Sequence, residues 1–142
     1  MKTANLTEVL LLDASVWVAA KDADERHFDA ARALVLNTEL PVSALDLTFY
    51  EAASVIGSRW RRPDLARELC RTIQLRCDGR IVSAEIELLE ATIDLASEYG
   101  LTAYDAAYVA AARRHGMTLV SADVRDLVSK GLAVAPDAAD YP

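Results

Sequence analysis

Four carboxylates in this 142-residue chain, Asp13, Glu51, Asp105 and Asp123, sit among residues that otherwise read as buried. Asp105 is the most conspicuous. It lies in the first turn of LTAYDAAYVAAARRHG, residues 101–116, where six alanines, Val109 and two tyrosines make a helix apolar nearly all round, the pattern of a buried helix. Asp13 closes the apolar run VLLL, Glu51 breaks into the apolar part of LDLTFYEAASVIGSRW, and Asp123 follows the run that ends at Val120 and Ser121. An ionised carboxylate in apolar surroundings is costly unless paired, and no lysine or arginine is placed by local spacing to neutralise all four.

Each acid has a local alternative. Thr102-Ala-Tyr-Asp105 resembles a capping box in which Asp105 reaches back to the Thr102 amide. Asp13 could cap a helix starting near Ser15, and Asp123 the short helix after it. Glu51, mid-helix, could point to solvent. A shared divalent cation accounts for all four at once. Mg2+ or Mn2+ takes oxygen ligands, keeps several waters, and is held by a few carboxylates plus substrate phosphate. His27 and His115 lie far along the chain from these positions, so zinc fits poorly, and the five glycines form neither a GxGxxG nor a Walker loop. A cation bridging the acids to a phosphodiester lowers the pKa of a bound water, polarises the phosphorus and stabilises the leaving oxygen. It also relieves the repulsion that would otherwise raise the pKa of at least one acid.

The elements that must position these acids alternate along the chain. Residues 9–13 read as a strand buried on both faces; helical stretches follow from Ser15 to Ala20 and from Glu25 to Leu36, then a strand from Leu40 to Ser43. A helix spans Leu45 to Trp60, and another opens at Pro63 and runs to about Cys77. Arg80 to Val82 is a strand. Ser83 to Tyr99 is a helix whose Ile86, Leu89, Ile93 and Ala96 form an apolar face, stopped by Gly100. After the Asp105 helix come a strand from Met117 to Val120, a short helix from Asp123 to Lys130, a last strand from Leu132 to Val134, and a loose tail over residues 136–142. This order predicts one domain over residues 1–142: a three-layer α/β/α fold with a central parallel sheet of about five strands and helices on both faces. In such sheets the working site lies beyond the C-terminal strand ends, where Asp13 and Asp123 fall.

The opening segment has an apolar run too short for a secretory signal, and no stretch reaches the ~20 apolar residues of a membrane span. A cytoplasmic protein with no membrane contact is expected. Cys70 and Cys77 are seven residues apart on one helix, so their Cα atoms lie about 10 Å apart and cannot form a disulfide; two reduced thiols are expected. Net charge is −7, against bulk electrostatic binding of nucleic acid. Between Arg59 and Arg80, however, seven arginines face three acids. That island reads either as a solvated helix face with Glu68 paired to neighbouring arginines, or as a phosphate-contacting track.

These motifs resemble the PIN domain, and in particular the ribonuclease toxins of VapBC toxin-antitoxin systems. LLDASVWVAA is similar to the family's first strand with its Asp-x-Ser signature, YEAAS carries the second acid, and LTAYDAAYVAAARRHGMTLVSADVRDL resembles the third motif and the Thr/Ser-x-Asp/Asn motif that follows. The likeness spans essentially the whole chain. It implies that Asp13, Glu51, Asp105 and Asp123 are the catalytic acids that bind Mg2+, with Mn2+ as an alternative, and that Ser15 and Ser121 orient a carboxylate or a metal-bound water. Some members carry asparagine at the position matching Asp123, and Asp126 is present three residues on, so the resemblance leaves open which of the two approaches the metal. It further implies an endoribonuclease acting on structured RNA of the transfer or ribosomal class, leaving a 3′ hydroxyl and a 5′ phosphate. A VapB-like antitoxin that inserts an arginine among the acids, and a toxin homodimer, are implied as partners. Arg59, Arg61 and Arg62 are the expected RNA contacts. Two competing readings keep the fold: a PIN-like RNA-binding module without catalysis, and a magnesium phosphohydrolase of small phosphate esters, for which Ser15 stands where a second aspartate would be wanted.

Overall fold

The computed structural model describes residues 8–139. The first apolar run forms β1 (Leu10–Leu12), with all three side chains buried. Then come α1 (Ala14–Ala19), α2 (Phe28–Leu36) and β2 (Val42–Leu45). Next, α3 (Asp46–Ala52) continues as a π-helical stretch, Ala53–Arg59. α4 (Pro63–Arg76) starts on its proline, and β3 (Ile81–Val82) follows. α5 (Ile86–Tyr99) and α6 (Ala103–His115) end on Gly100 and Gly116, both with φ near +65°, a conformation without steric cost only for glycine. β4 (Thr118–Val120), a π-helical turn (Val124–Val128) and a 3-10 turn (Pro136–Ala138) complete the chain.

All strand pairs are parallel, in the order β3-β2-β1-β4. Because side chains alternate along a strand, Leu10 and Leu12 join one core with α1, α2, α3 and α4, while Leu11 joins a second with α5 and α6. These are the three layers expected. The chain steps outward from β1 to β2 to β3; α5 and α6 then carry it back to β4 on the other side of β1. Strand order therefore reverses between β1 and β4, and a crevice beyond their C-terminal ends is the topological consequence.

Four expectations need correction. The sheet has four strands, not about five. Val134 makes only an isolated parallel bridge to Val120: the Ser121 N–H donates to the Val134 carbonyl and the Val134 N–H to the Leu119 carbonyl, each at 2.9 Å. Extension stops there because the Leu132 N–H is already spent on the Leu127 carbonyl at 3.0 Å. On α5 the buried side chains are Leu88, Thr92 and Leu95, while Ile86, Leu89 and Ile93 are exposed and only Ala96 of the expected face is packed. Thr92 reads as polar, yet its hydroxyl donates to the Leu88 carbonyl at 2.7 Å and can then be buried. Glu68 pairs with Lys21 at 3.4 Å, not with arginines. The tail is docked as far as Ala139, which packs against the core beside buried Pro136, whereas 140–142 lie outside the described residues.

Two arginines of the basic island point inward. Arg76 donates to the carbonyls of Val35 at 2.6 Å, Asn37 at 2.8 Å and Leu40 at 3.3 Å, satisfying the orphan acceptors at the C-terminus of α2. Arg80 donates to Val42 at 2.9 Å and Arg76 at 3.0 Å. Arg59, Arg61, Arg62, Arg67 and Arg71 remain exposed. Cys70 and Cys77 are free, and burial pushes the Cys77 thiol up to about 12. No helix among the described residues is long and apolar enough to cross a membrane.

Candidate metal centre

Asp13 leaves β1 at the crevice, its N–H donating to the Val120 carbonyl at 3.1 Å and so tying the end of β1 to the end of β4. Its carboxylate does cap α1, accepting from the Val16 N–H at 3.3 Å. Ser15 Oγ donates to the same carboxylate, accepts the Ala122 N–H at 2.9 Å, and lies 3.4 Å from Ser121 Oγ. Ser121 Oγ in turn accepts the Asp123 N–H at 3.0 Å. The two serines thus lace the strand ends together beneath the acids. Asp123 caps the turn after β4, its Oδ1 accepting the Asp126 N–H at 3.0 Å. The Asp105 N–H donates to Thr102 Oγ1 at 3.2 Å, the forward half of the expected capping box. Capping and site placement are therefore compatible for Asp13 and Asp123, while the Asp105 carboxylate does not return to the Thr102 N–H.

The carboxylate oxygens of Asp105, Asp123 and Asp126 lie within 4.8 Å of one another. Asp126 stands with Asp123 in this group. Asp13 and Glu51 are outside that trio but electrically joined to it: Asp13 feels Glu51, Glu51 feels Asp105, and Asp105 feels Asp123 and Asp126. Burial pushes the Asp13 carboxyl up to about 7, with Glu51 adding to the rise and Ser121, Ser15 and the Val16 N–H opposing it. Asp105 and Glu51 are raised for the same first reason, burial, and then by the neighbouring acids.

Glu51 is half-buried, not solvent-facing. Tyr108 OH donates to Glu51 Oε1 at 2.7 Å and lies 2.8 Å from Thr48 Oγ1, which accepts the Leu45 N–H at 3.0 Å. Burial and the Glu51 charge hold the Tyr108 phenol far above its ordinary pKa, so it is a permanent donor. Neither Tyr108 nor Thr48 stands out in the sequence as a site residue. A signal exists for the tyrosine: Tyr108 follows Asp105 by three residues, on the same helix face, and a buried tyrosine hydroxyl needs a partner. Tyr108→Phe keeps the packing but strips Glu51 of this donor. The expected cost is about 1–3 kcal/mol of stability, read by denaturant unfolding. Because the bond lowers the Glu51 pKa, any activity that needs Glu51 ionised will begin at a higher pH in the variant.

The donor set fits a hard divalent cation. Every candidate ligand is a carboxylate oxygen, as Mg2+ or Mn2+ requires and zinc does not prefer, and among the described residues no lysine or arginine pairs with Asp13. Arg59, Arg61 and Arg62 lie at the end of the π-helical stretch and the start of α4, and are not among the residues tied to the acids.

The PIN domain family model matches residues 10–129. Ribonuclease VapC3 from Pyrobaculum aerophilum is 34% identical over 125 residues, covering 85% of this chain and 93% of that protein. Among solved structures, PAE2754 from Pyrobaculum aerophilum aligns with a TM-score of 0.64 at 26% identity, over 92% of this chain and 85% of that one. A toxin-antitoxin complex from Klebsiella pneumoniae shares the fold with a TM-score of 0.65 at 19% identity, over 89% and 97% of the two chains.

Proposed function

Because this chain belongs to the PIN-domain family, as a VapC-like member, we propose that it is a magnesium-dependent endoribonuclease, the toxin of a toxin-antitoxin pair. The observation that carries the reading is the gathering of Asp105, Asp123 and Asp126 within 4.8 Å of one another, with Glu51 and, through it, Asp13 coupled to them electrostatically; Asp13, Glu51 and Asp105 are raised in pKa by burial and then by neighbouring acids. Unpaired charges of this kind are destabilising unless a cation completes them. Asp105, Asp123 and Asp126 would hold it, with Asp13 and Glu51 completing the charge around them. When bound, the cation supplies Lewis-acid activation of water and of the scissile phosphodiester. The protein's own part is orientation: Ser15 and Ser121 fix Asp13 and Asp123, and Tyr108 fixes Glu51. The similarity to a ribonuclease over most of both chains supports RNA as the substrate.

The test is cleavage of total RNA by the purified chain. Cleavage that appears with Mg2+ or Mn2+ and disappears with EDTA is expected; cleavage indifferent to EDTA, or turnover of a small phosphate ester but not RNA, would overturn the proposal.

Arg59, Arg61 and Arg62 are proposed as an RNA track. Arg61 is held at φ +56°, the only positive φ outside glycine among the described residues, a conformation costing on the order of 1 kcal/mol or more. Arg62 shares its charge with Asp64 at 3.1 Å. Replacing Arg61 and Arg62 by alanine should weaken RNA binding and flatten its dependence on salt by roughly 0.7 in log–log slope for each single-strand phosphate that is no longer neutralised. Titrations by fluorescence anisotropy at several salt concentrations would show it; an unchanged slope would remove these arginines from the interface.

For partners, we propose an antitoxin whose basic segment enters the acidic crevice, in keeping with the net charge of −7. A homodimer is supported by the exposed stripe Ile86, Leu89 and Ile93 on α5, 45–63% accessible.

A further inference from the structure

Among the described residues, Tyr50 and Tyr104 are the most exposed aromatic side chains, at 77% and 61%. Each precedes an acid of the candidate centre, Glu51 and Asp105 respectively. Both line a cleft of about 400 Å³ together with Leu47, Glu51 and Ser54, a size suited to a small planar ligand. The cleft therefore has an acid of the centre in its wall.

We propose that Tyr50 and Tyr104 form a stacking subsite for one unpaired nucleobase of the RNA, adjacent to the phosphodiester that is cut. The inference rests on the endoribonuclease reading and adds to it a source of substrate affinity that does not depend on charge. The centre is a concentration of negative charge on an acidic protein, so phosphates near it are attracted only through a cation. Affinity that does not depend on charge must come from the bases. Unstacked bases of single-stranded RNA are held on aromatic faces, and such stacking tolerates sequence because every base has a π face. The Ser54 hydroxyl at the cleft wall is available to a base edge. Tyr50 and Tyr104 also border an adjoining groove of about 310 Å³, lined mainly by apolar side chains that include Leu88 and Leu89 of α5; only the first cleft has an acid of the centre in its wall.

The test uses the full-length chain with Mg2+ and single-stranded RNA oligonucleotides whose cut positions are first mapped with the wild-type protein. Tyr50→Ala and Tyr104→Ala are each expected to raise KM about tenfold, since stacking is worth ~1–3 kcal/mol per base; Tyr→Phe at either position retains the ring and should retain KM. An oligonucleotide abasic at the nucleotide flanking the cut should lose affinity for the wild type but lose no more with the alanine variants. If wild type cleaves no RNA, the function reading fails before this one is reached. If wild type cleaves and the alanine variants keep wild-type KM, or if the abasic and alanine effects simply add, the subsite is refuted. Dissociation of a dimer by the alanine variants at unchanged KM would assign the two tyrosines to a protein interface instead and equally overturn it.

Discussion

Asp105→Asn is expected to reduce magnesium-dependent RNA cleavage by about 10³-fold or more while leaving the fold intact. The loss is large because the cation's contribution to a phosphodiester transition state is worth several kcal/mol, and each 1.36 kcal/mol is tenfold in rate. The fold survives because the Thr102 cap uses the backbone N–H of residue 105, not its carboxylate. Stability should hold or rise, since Asp105 is raised by burial and by the charges of Asp123 and Asp126, and asparagine is free of both costs. Two measurements belong together: single-turnover cleavage, and the Tm increase produced by Mg2+, which should shrink in the variant because a cation that binds the folded state stabilises it. Cleavage within a few-fold of wild type would show that Asp105 does not serve the chemistry.

Asp13→Asn should make the metal-free protein more stable at pH 8 even as it abolishes cleavage. The Asp13 carboxyl titrates at about 7 in the folded protein against an ordinary value of 3.8. Between those values the folded chain keeps a proton that the unfolded chain has released, so stability falls as pH rises from about 4 to about 7. Above pH 7 the full cost is present, on the order of 4 kcal/mol at 1.36 kcal/mol per pH unit. Asparagine stays neutral throughout and its carbonyl still accepts the Val16 N–H that caps α1. In EDTA at pH 8 the variant should melt at least ~5 °C above wild type, and at pH 4 the two should converge. Adding Mg2+ should narrow the gap by stabilising wild type alone. A variant that melts below wild type at pH 8 in EDTA would mean that Asp13 already has a compensating partner.

What could be seen in the sequence was what lies within a few residues of its cause. Asp13, Thr102 and Asp123 cap the segments that follow them, and Gly100 and Gly116 end helices, because capping is a bond between near neighbours. Misplaced polarity was visible too, since Asp105 breaks an apolar period. What escaped was each choice between locally equivalent options. Two apolar stripes run along α5, and the buried one contains Thr92, whose satisfied hydroxyl no periodicity reveals. The arginines at 76 and 80 look like their exposed neighbours until the carbonyls of α2 and β2 are brought to them. The fifth strand failed for want of free donors, a matter of what Leu132 had already bonded.

The sequence by itself determined the alternation of strand and helix, hence a parallel sheet, and placed Asp13 and Asp123 at its C-terminal edge, because period and element boundaries follow from local patterning. Only the tertiary structure decided which acids meet. It set Asp126 beside Asp105 and Asp123, buried Asp13 between two serines 106 residues apart, and brought Tyr108 to Glu51 across 57 residues. Such contacts depend on how helices seat on the sheet, a sum over the whole core that no single segment encodes.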